Sequence, residues 1–389
     1  MLAALCRSGP AQPTADAPSP NPAANPEKND ARRAYEAALE AYRDQMRRIE
    51  QLYTRYQTAD ESEQEEINER LKPLVAEAKQ KVNTMVDAAL EAFQAAPMQD
   101  PEVANLLLSV AEHRVVGQGK GGGGDQYEAA LPILEALVDA QHEQAVLPMW
   151  GVLAAVATNQ FDKADKFAKL AIQRGAVQAD PGESSEAKDT FALAFRYLQE
   201  KDRFRERWEK EKAIRDKEAK ADDLPRVRLK LSAGEVVIEL FEDQAPIATA
   251  NFLSLVKSGF YDGVKFHRVI PRFMAQGGDP TGTGSGGPGY AIRCEVDAPD
   301  ARDHFRGTLS MAHAGRDTGG SQFFLCFVPT DHLDGAHTAF GRVVEGVEVL
   351  GEIQVVEPQS GGPQPDRILE AEVIRDRGHE YDFQKLPGR

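Results

Sequence analysis

Two hydrophobic periods divide this chain, with the change near Pro225. From Tyr35, apolar side chains recur at Leu39, Tyr42, Met46, Ile49, Tyr53 and Tyr56 in alternating steps of four and three, the seam of a coiled-coil-like helix. A second series runs through Ile67, Leu71, Leu74, Ala78, Val82, Met85, Ala89 and Phe93, after a polar break in which Ser62 and Glu65 have the spacing of a capping box. Together they predict an antiparallel helical hairpin over 29–100. Its apolar seam is satisfied either within the chain or as a dimer surface. Shorter amphipathic helices follow up to about residue 205. In them Tyr127-x-x-Ala130 and Phe161-x-x-Ala164 repeat at an offset of 34 residues, the tetratricopeptide period. The dense charge from Glu200 to Asp223 predicts a solvated helix leading into a linker that ends at Leu224-Pro225.

After Pro225 the period is two. Val227, Leu229 and Leu231 alternate with Arg and Lys, a Ser-Ala-Gly turn follows, and 236–240 returns as a second strand. A helix starts near Pro246, an allowed first-turn proline. Further short strands are expected at 264–270, 273–276, 308–312, 322–328 and 339–344, which points to a closed β-barrel. On the first of these, alternation puts Arg268 on the side of Phe266 and Ile270. In QFFLCFV it puts Gln322 with Phe324 and Cys326, and turns Phe323, Leu325 and Phe327 to the opposite face. A polar amide beside a phenyl ring suits a groove wall better than a sealed core, where it would need partners.

Composition narrows the function. The chain has 389 residues and a formal net charge of −16, which argues against nucleic acid or an anionic membrane surface as the main partner. Cys6, Cys294 and Cys326 are far apart, so neither a zinc site nor a disulfide framework is expected. No metal or other cofactor is called for, and His332 with His337 lacks a third ligand. Cys326, inside an apolar run, reads as a small buried hydrophobe. The glycine-rich GQGKGGGGD, 117–125, has no GK[ST] and no preceding strand, so it reads as a flexible loop, not a phosphate cradle. No apolar run approaches the roughly 20 residues that span a bilayer. MLAALC followed by a Pro/Ala/Asn-rich stretch resembles the end of a bacterial lipoprotein signal with Cys6 as the lipidated residue, although Leu5 departs from that pattern. The two localisations consistent with this start are cytoplasmic as the chain stands, or the bacterial cell envelope if a signal has been truncated.

The segments VVIELFEDQAPIATANFLSLVKSGFYDGVKFHRVIPRFMAQGGD, GTLSMAHAG and GGSQFFLCFVPTDHLDGAHTAFG resemble the cyclophilin-type peptidyl-prolyl cis-trans isomerases from about Val227 to Ile353. The resemblance implies an eight-stranded closed barrel capped by two helices, with a substrate groove on its outer face. It implies Arg268 as the catalytic arginine and Phe273, Met274, Phe324, Leu333 and His337 as the proline pocket. Gln276 and Gln322 match polar contacts of the groove, and Ala312, His313 and Ala314 match backbone contacts to the peptide. His332 is expected to touch substrate where many members have tryptophan, and His313 stands where they have asparagine; the first change makes tight cyclosporin binding doubtful. Arg272 is not required by the family pattern and reads as a surface charge.

The expected organisation is multidomain: a disordered tail (1–28), the helical hairpin (29–100), a tetratricopeptide-like domain (101–205), a charged linker (206–224), a cyclophilin-like isomerase (225–378) and a tail (379–389). The expected function is isomerisation of X–Pro bonds in protein substrates during folding. Proline-containing polypeptides are the partners of the barrel, a client or partner protein binds the helical region, and the hairpin offers a homodimer surface. A barrel that captures proline peptides as a non-catalytic chaperone or scaffold is the alternative.

Overall fold

The computed structural model describes residues 26–117, 124–356 and 364–388. The readings placed on the N-terminal tail, Cys6 included, and on 118–123 of the glycine-rich loop fall outside them. Among the described residues seven α-helices precede the sheet: α1 (Pro26–Tyr56), α2 (Glu61–Ala95), α3 (Pro101–Val115), α4 (Tyr127–Asp139), α5 (Leu147–Ala157), α6 (Phe161–Gln173) and α7 (Ser185–Ala221). None of the described helices is long and apolar enough to cross a membrane. By packing, the chain separates into two units, one holding residues 2–111 with 133–143 and the other 112–132 with 144–389.

In the first unit, α1 and α2 form the hairpin. Ile49 and Leu52 pack against Ile67, Leu71 and Ala78, so the seam is used within the chain. The capping box expected at Ser62 is instead made one turn-start earlier: Asp60 is the N-cap and accepts from the Glu63 N–H at 2.9 Å. A carboxylate at this position also meets the positive end of the helix.

In the second unit, every residue of α5 is buried, as a helix apolar on all sides must be. Gly151 faces Phe167 of α6 so closely that a Cβ would lie 2.3 Å from the ring. Tyr127, Ala130, Phe161 and Ala164 are buried as well. Helix α7 runs to Ala221, capped by Ser184. It is not solvated all round, because Phe204 and Glu211 are buried. The reason lies in another segment: Arg302, fully buried, donates to both Glu211 oxygens at 2.8 and 2.7 Å and to Glu218, with its guanidinium 3.8 Å from the Phe241 ring centre.

The sheet comprises β1 (Arg226–Leu231), β2 (Glu235–Leu240), β3 (Arg268–Ile270), β4 (Met274–Gly277), β6 (Thr308–Met311), β7 (Phe323–Cys326), β8 (Ala339–Glu345) and β9 (Ile368–Arg375), in the order β3-β4-β7-β6-β8-β2-β1-β9. A separate pair joins β5 (Tyr290–Ala291) to β10 (Leu386–Pro387). Strand β9 escapes sequence reading because only Ile368 on it is buried, so no inward row shows in its pattern.

The sheet is a curled, half-barrel surface and not the closed barrel expected. Its ladder ends at β3 and β9, and among the described residues near those edges the pairings are isolated bridges, Lys265 to Arg367 and Val269 to Val356. Nor are there two capping α-helices among the described residues of this domain. One, α8 (Pro246–Lys257), covers the core, its first free N–H groups at Ile247 and Ala248 accepted by Glu295 at 2.9 Å each; at the second place, Val347–Glu352 forms a 3-10 segment. The inner face of the sheet and α8 enclose the main core, which includes Ile238, Phe252, Phe266, Phe323, Leu325 and Phe340.

Candidate active site

A second, smaller apolar cluster lies on the outer face: Met274, Ala312, Phe324 and Cys326, with Ile270, Phe273 and Leu333 packed against it. Alternation along β7 produces it, since Phe323 and Leu325 go to the main core while Phe324 and Cys326 turn outward. One expectation fails nearby. Phe266 belongs to the main core, not to the side of Arg268, because 266–267 lie outside any ladder and β3 begins only at Arg268.

Antiparallel register then aligns Arg268 with Gln276 and Gln276 with Phe324 across β3, β4 and β7. Arg268 donates to the Gln276 Oε1 at 3.5 Å, a long contact, and has no carboxylate partner among the described residues. Gln276 in turn donates to the Gln322 Oε1 at 2.9 Å, and Gln322 donates to the carbonyls of Gly284 and Gly286 at 3.0 and 2.9 Å. The loop bearing those carbonyls hangs on Asp279. Burial pushes the Asp279 carboxyl up, but N–H donors from Thr281, Gly284 and Gly286 outweigh it and hold it at about 2. Gly278 makes this possible: at φ +85° its Cβ would stand 2.2 Å from the Ser321 carbonyl.

These groups open into a groove of about 880 Å³, lined by Arg268, Phe273, Met274, Gln276, Ala312, His313, Ala314, Gln322, Phe324, Leu333 and His337. His332 alone of the expected site residues is not on its lining; the ring is exposed and lies 5.5 Å from that of Phe273. His313 and His337 stack at 4.1 Å, His313 bonded to the Ala336 carbonyl and His337 to that of Met311. Burial lowers the His337 pKa below the ordinary imidazole value, which favours the neutral ring in the groove. Cys326 is sealed, its thiol pushed up to about 12 by burial, which fits a hydrophobe and not a nucleophile.

Several features escape the sequence. Ser310, His304 and Asp334 are joined at 2.8 and 2.7 Å, yet Ser310 and His304 are buried and Phe324 stacks over the imidazole at 6.0 Å. No substrate reaches that hydroxyl, so the trio braces the groove floor and does not perform acyl transfer. Arg272 is not a surface charge: its side chain is 11% exposed and donates to the Val116 carbonyl, while its N–H, at φ +60°, is shared by both Asp125 oxygens at 3.0 Å. Pro387 and Gly388 line the far end of the groove. The pairing of Leu386 with Ala291 and of Pro387 with Tyr290 spans nearly a hundred residues and leaves no local signal.

Residues 226–373 match the family model for cyclophilin type peptidyl-prolyl cis-trans isomerase. Among solved structures, a cyclophilin type peptidyl-prolyl cis-trans isomerase of Cryptosporidium parvum is similar at 35% identity, covering 39% of this chain and 99% of its own, with a TM-score of 0.36. A peptidyl-prolyl cis-trans isomerase of Helicobacter pylori is 53% identical over 146 residues, which is 36% of this chain and 89% of that one. Peptidyl-prolyl cis-trans isomerase B of Bacillus subtilis is 55% identical over 114 residues, 29% of this chain and 79% of its own. With the groove, its arginine and its apolar floor in one domain that spans nearly the whole of such relatives, this chain belongs to the cyclophilin-type peptidyl-prolyl cis-trans isomerases and accelerates X–Pro bond isomerisation.

Proposed function

We propose that Arg268 is the catalytic group and that Phe273, Met274, Phe324, Leu333 and His337 hold the proline ring. Rotation about X–Pro must break amide resonance, a barrier of roughly 18–20 kcal/mol, and without help it takes tens to hundreds of seconds. A guanidinium that donates to the prolyl nitrogen favours the pyramidal, deconjugated nitrogen of the twisted state over either planar isomer. No nucleophile or proton transfer is needed. The apolar cluster fixes the ring while the preceding residue turns, and Gln276 and Gln322 orient the substrate's carbonyls with the backbone of Ala312, His313 and Ala314.

The observation that carries this reading is the unspent guanidinium. Arg268 lies beside an apolar cluster with one long amide contact and no carboxylate among the described residues, so its donors are free for a substrate. The alternating glutamines support a polar rail along one side of that pocket. His332 acts only at the rim, beside Phe273.

The helical region serves to recruit proline-containing clients or a protein partner. Its tetratricopeptide-like character rests on the 34-residue offset and on buried Tyr127, Ala130, Phe161 and Ala164. The site assignment is tested by refolding a protein whose slow phase is limited by an X–Pro bond. The full chain should accelerate that phase, and Arg268→Lys, which keeps the charge and loses the planar fork, should reduce the acceleration by at least about tenfold. Equal acceleration by both proteins would remove Arg268 from the catalytic role.

A further inference from the structure

Leu333, one wall of the proline pocket, sits on the 3-10 turn Asp331–Leu333 between two carboxylates. Both are taken by α7, which lies outside the span that matches the family. The Asp331 side chain, 6% exposed, accepts from Arg196 at 2.6 Å and Arg203 at 2.7 Å. Asp334 accepts from Arg207, which also reaches Asp303 at 3.0 Å. Tyr197 of the same helix donates to the Pro329 carbonyl at 2.9 Å. The path continues inward, because Asp334 also holds His304, whose ring is stacked on Phe324, the floor of the pocket.

The Phe273 wall is held in the same way. Phe273 follows Arg272, whose strained left-handed backbone is fixed by the buried Asp125 carboxylate, itself bonded by the Tyr127 hydroxyl at 2.7 Å. Asp125 again precedes the family span. Walls built of a short 3-10 turn and a three-residue corner have little secondary structure of their own, so they depend on what grips them from behind.

We infer that Arg203 and Arg207 of α7, with Asp125 before α4, are positioning residues that set the separation of the Leu333 and Phe273 walls, so that this isomerase needs its helical segment to bind proline peptides at full strength. The inference rests on the assignment of the groove as the proline site. It differs from a purely structural role in what it moves: affinity for peptide changes while the Arg268-dependent step does not.

The test uses the full chain with a chromogenic X–Pro tetrapeptide, comparing wild type with the double variant Arg203→Met/Arg207→Met. KM should rise about tenfold with kcat within about threefold of wild type, and the Lys/Lys double variant should recover part of the loss. A folded Met/Met variant with wild-type KM overturns the inference. If that variant does not fold, Arg203→Met alone decides, since this side chain is 55% exposed: a KM rise of about threefold supports the inference and an unchanged KM overturns it. Amide ¹⁵N shifts of Leu333 and Phe324 in Arg203→Met separate the two readings. If Arg268→Ala leaves turnover intact, the groove assignment fails, but moved shifts still support the grip of α7 on the wall and unmoved shifts overturn it.

Discussion

Among the arginines that rest against aromatic or apolar side chains, Arg302 and Arg268 are treated in opposite ways. Arg302 is sealed, spread over the Phe241 ring and paired with both Glu211 oxygens and with Glu218. Arg268 is half-buried at the lip of a groove and has only the distant oxygen of Gln276. A guanidinium stays charged in a protein, so placing one beside apolar surface carries a desolvation cost that partners must offset. At Arg302 the protein supplies those partners, and the product is a fixed α7. At Arg268 it withholds them among the described residues, and on the proposed assignment the product is a donor left for a substrate. Pairing therefore separates a structural arginine from the one proposed to be catalytic more clearly than burial does.

The largest effect that would break this contrast lies on the structural side. Arg302→Met should destabilise the second unit by about 3 kcal/mol, because it takes from the buried Glu211 and from Glu218 the guanidinium they share and leaves Glu211 with Arg215 and Glu218 with Arg342 at 3.6 Å, while turnover per folded molecule stays within about twofold. Denaturant unfolding followed by an activity assay on the folded fraction measures both. A wild-type unfolding midpoint would mean that the buried pairs do not hold α7.

A smaller effect is expected from the polar rail. Gln322→Ala cuts the link from Gln276 to the Gly284 and Gly286 carbonyls and should lower kcat/KM about tenfold, the loss of one or two net hydrogen bonds. Wild-type kcat/KM in this variant would show that the loop over Asp279 does not depend on the rail.

Acid should separate the two regions by severalfold effects at different pH. Burial holds the His337 pKa below the ordinary value of 6.5. The neutral ring's contribution is thus complete above about pH 6.5 and is lost as pH falls through the lowered folded-state value. Peptide affinity should decline in that range, since a charged ring faces an apolar pocket and a second imidazole. On the α7 side, burial raises the Asp334 carboxyl, but His304 and Arg207 outweigh it and keep its pKa below the ordinary 3.8. Its stabilisation is present above about pH 4 and fails only as pH falls further. Peptide titrations and unfolding curves from pH 8 to 3 check both; loss of the two properties at one pH would blur the contrast.

Much of the groove is legible in the sequence because its logic is local. Alternation in QFFLCFV assigns Phe324 and Cys326 to the outer cluster, and Arg268 and Gln276 fall in one hairpin whose register is set by a short corner. Phe266 falls on the other face because alternation holds only within a continuous strand, and β3 begins only at Arg268. The open edge of the sheet depends on long-range pairing that no local pattern encodes, and so does β10. The grip of α7 was hidden for a related reason. A charged helix looks solvated when its partners, Arg302, Asp331 and Asp334, lie about a hundred residues away, so sequence shows the charges and not their pairing.

The most direct measurement is kcat/KM, peptide Kd and unfolding midpoint for Arg268→Ala in the full chain. The contrast predicts that kcat/KM falls by about 10²–10³-fold, that Kd stays within about threefold, and that the midpoint does not move. A variant with wild-type kcat/KM, or one that unfolds as early as Arg302→Met, would contradict it.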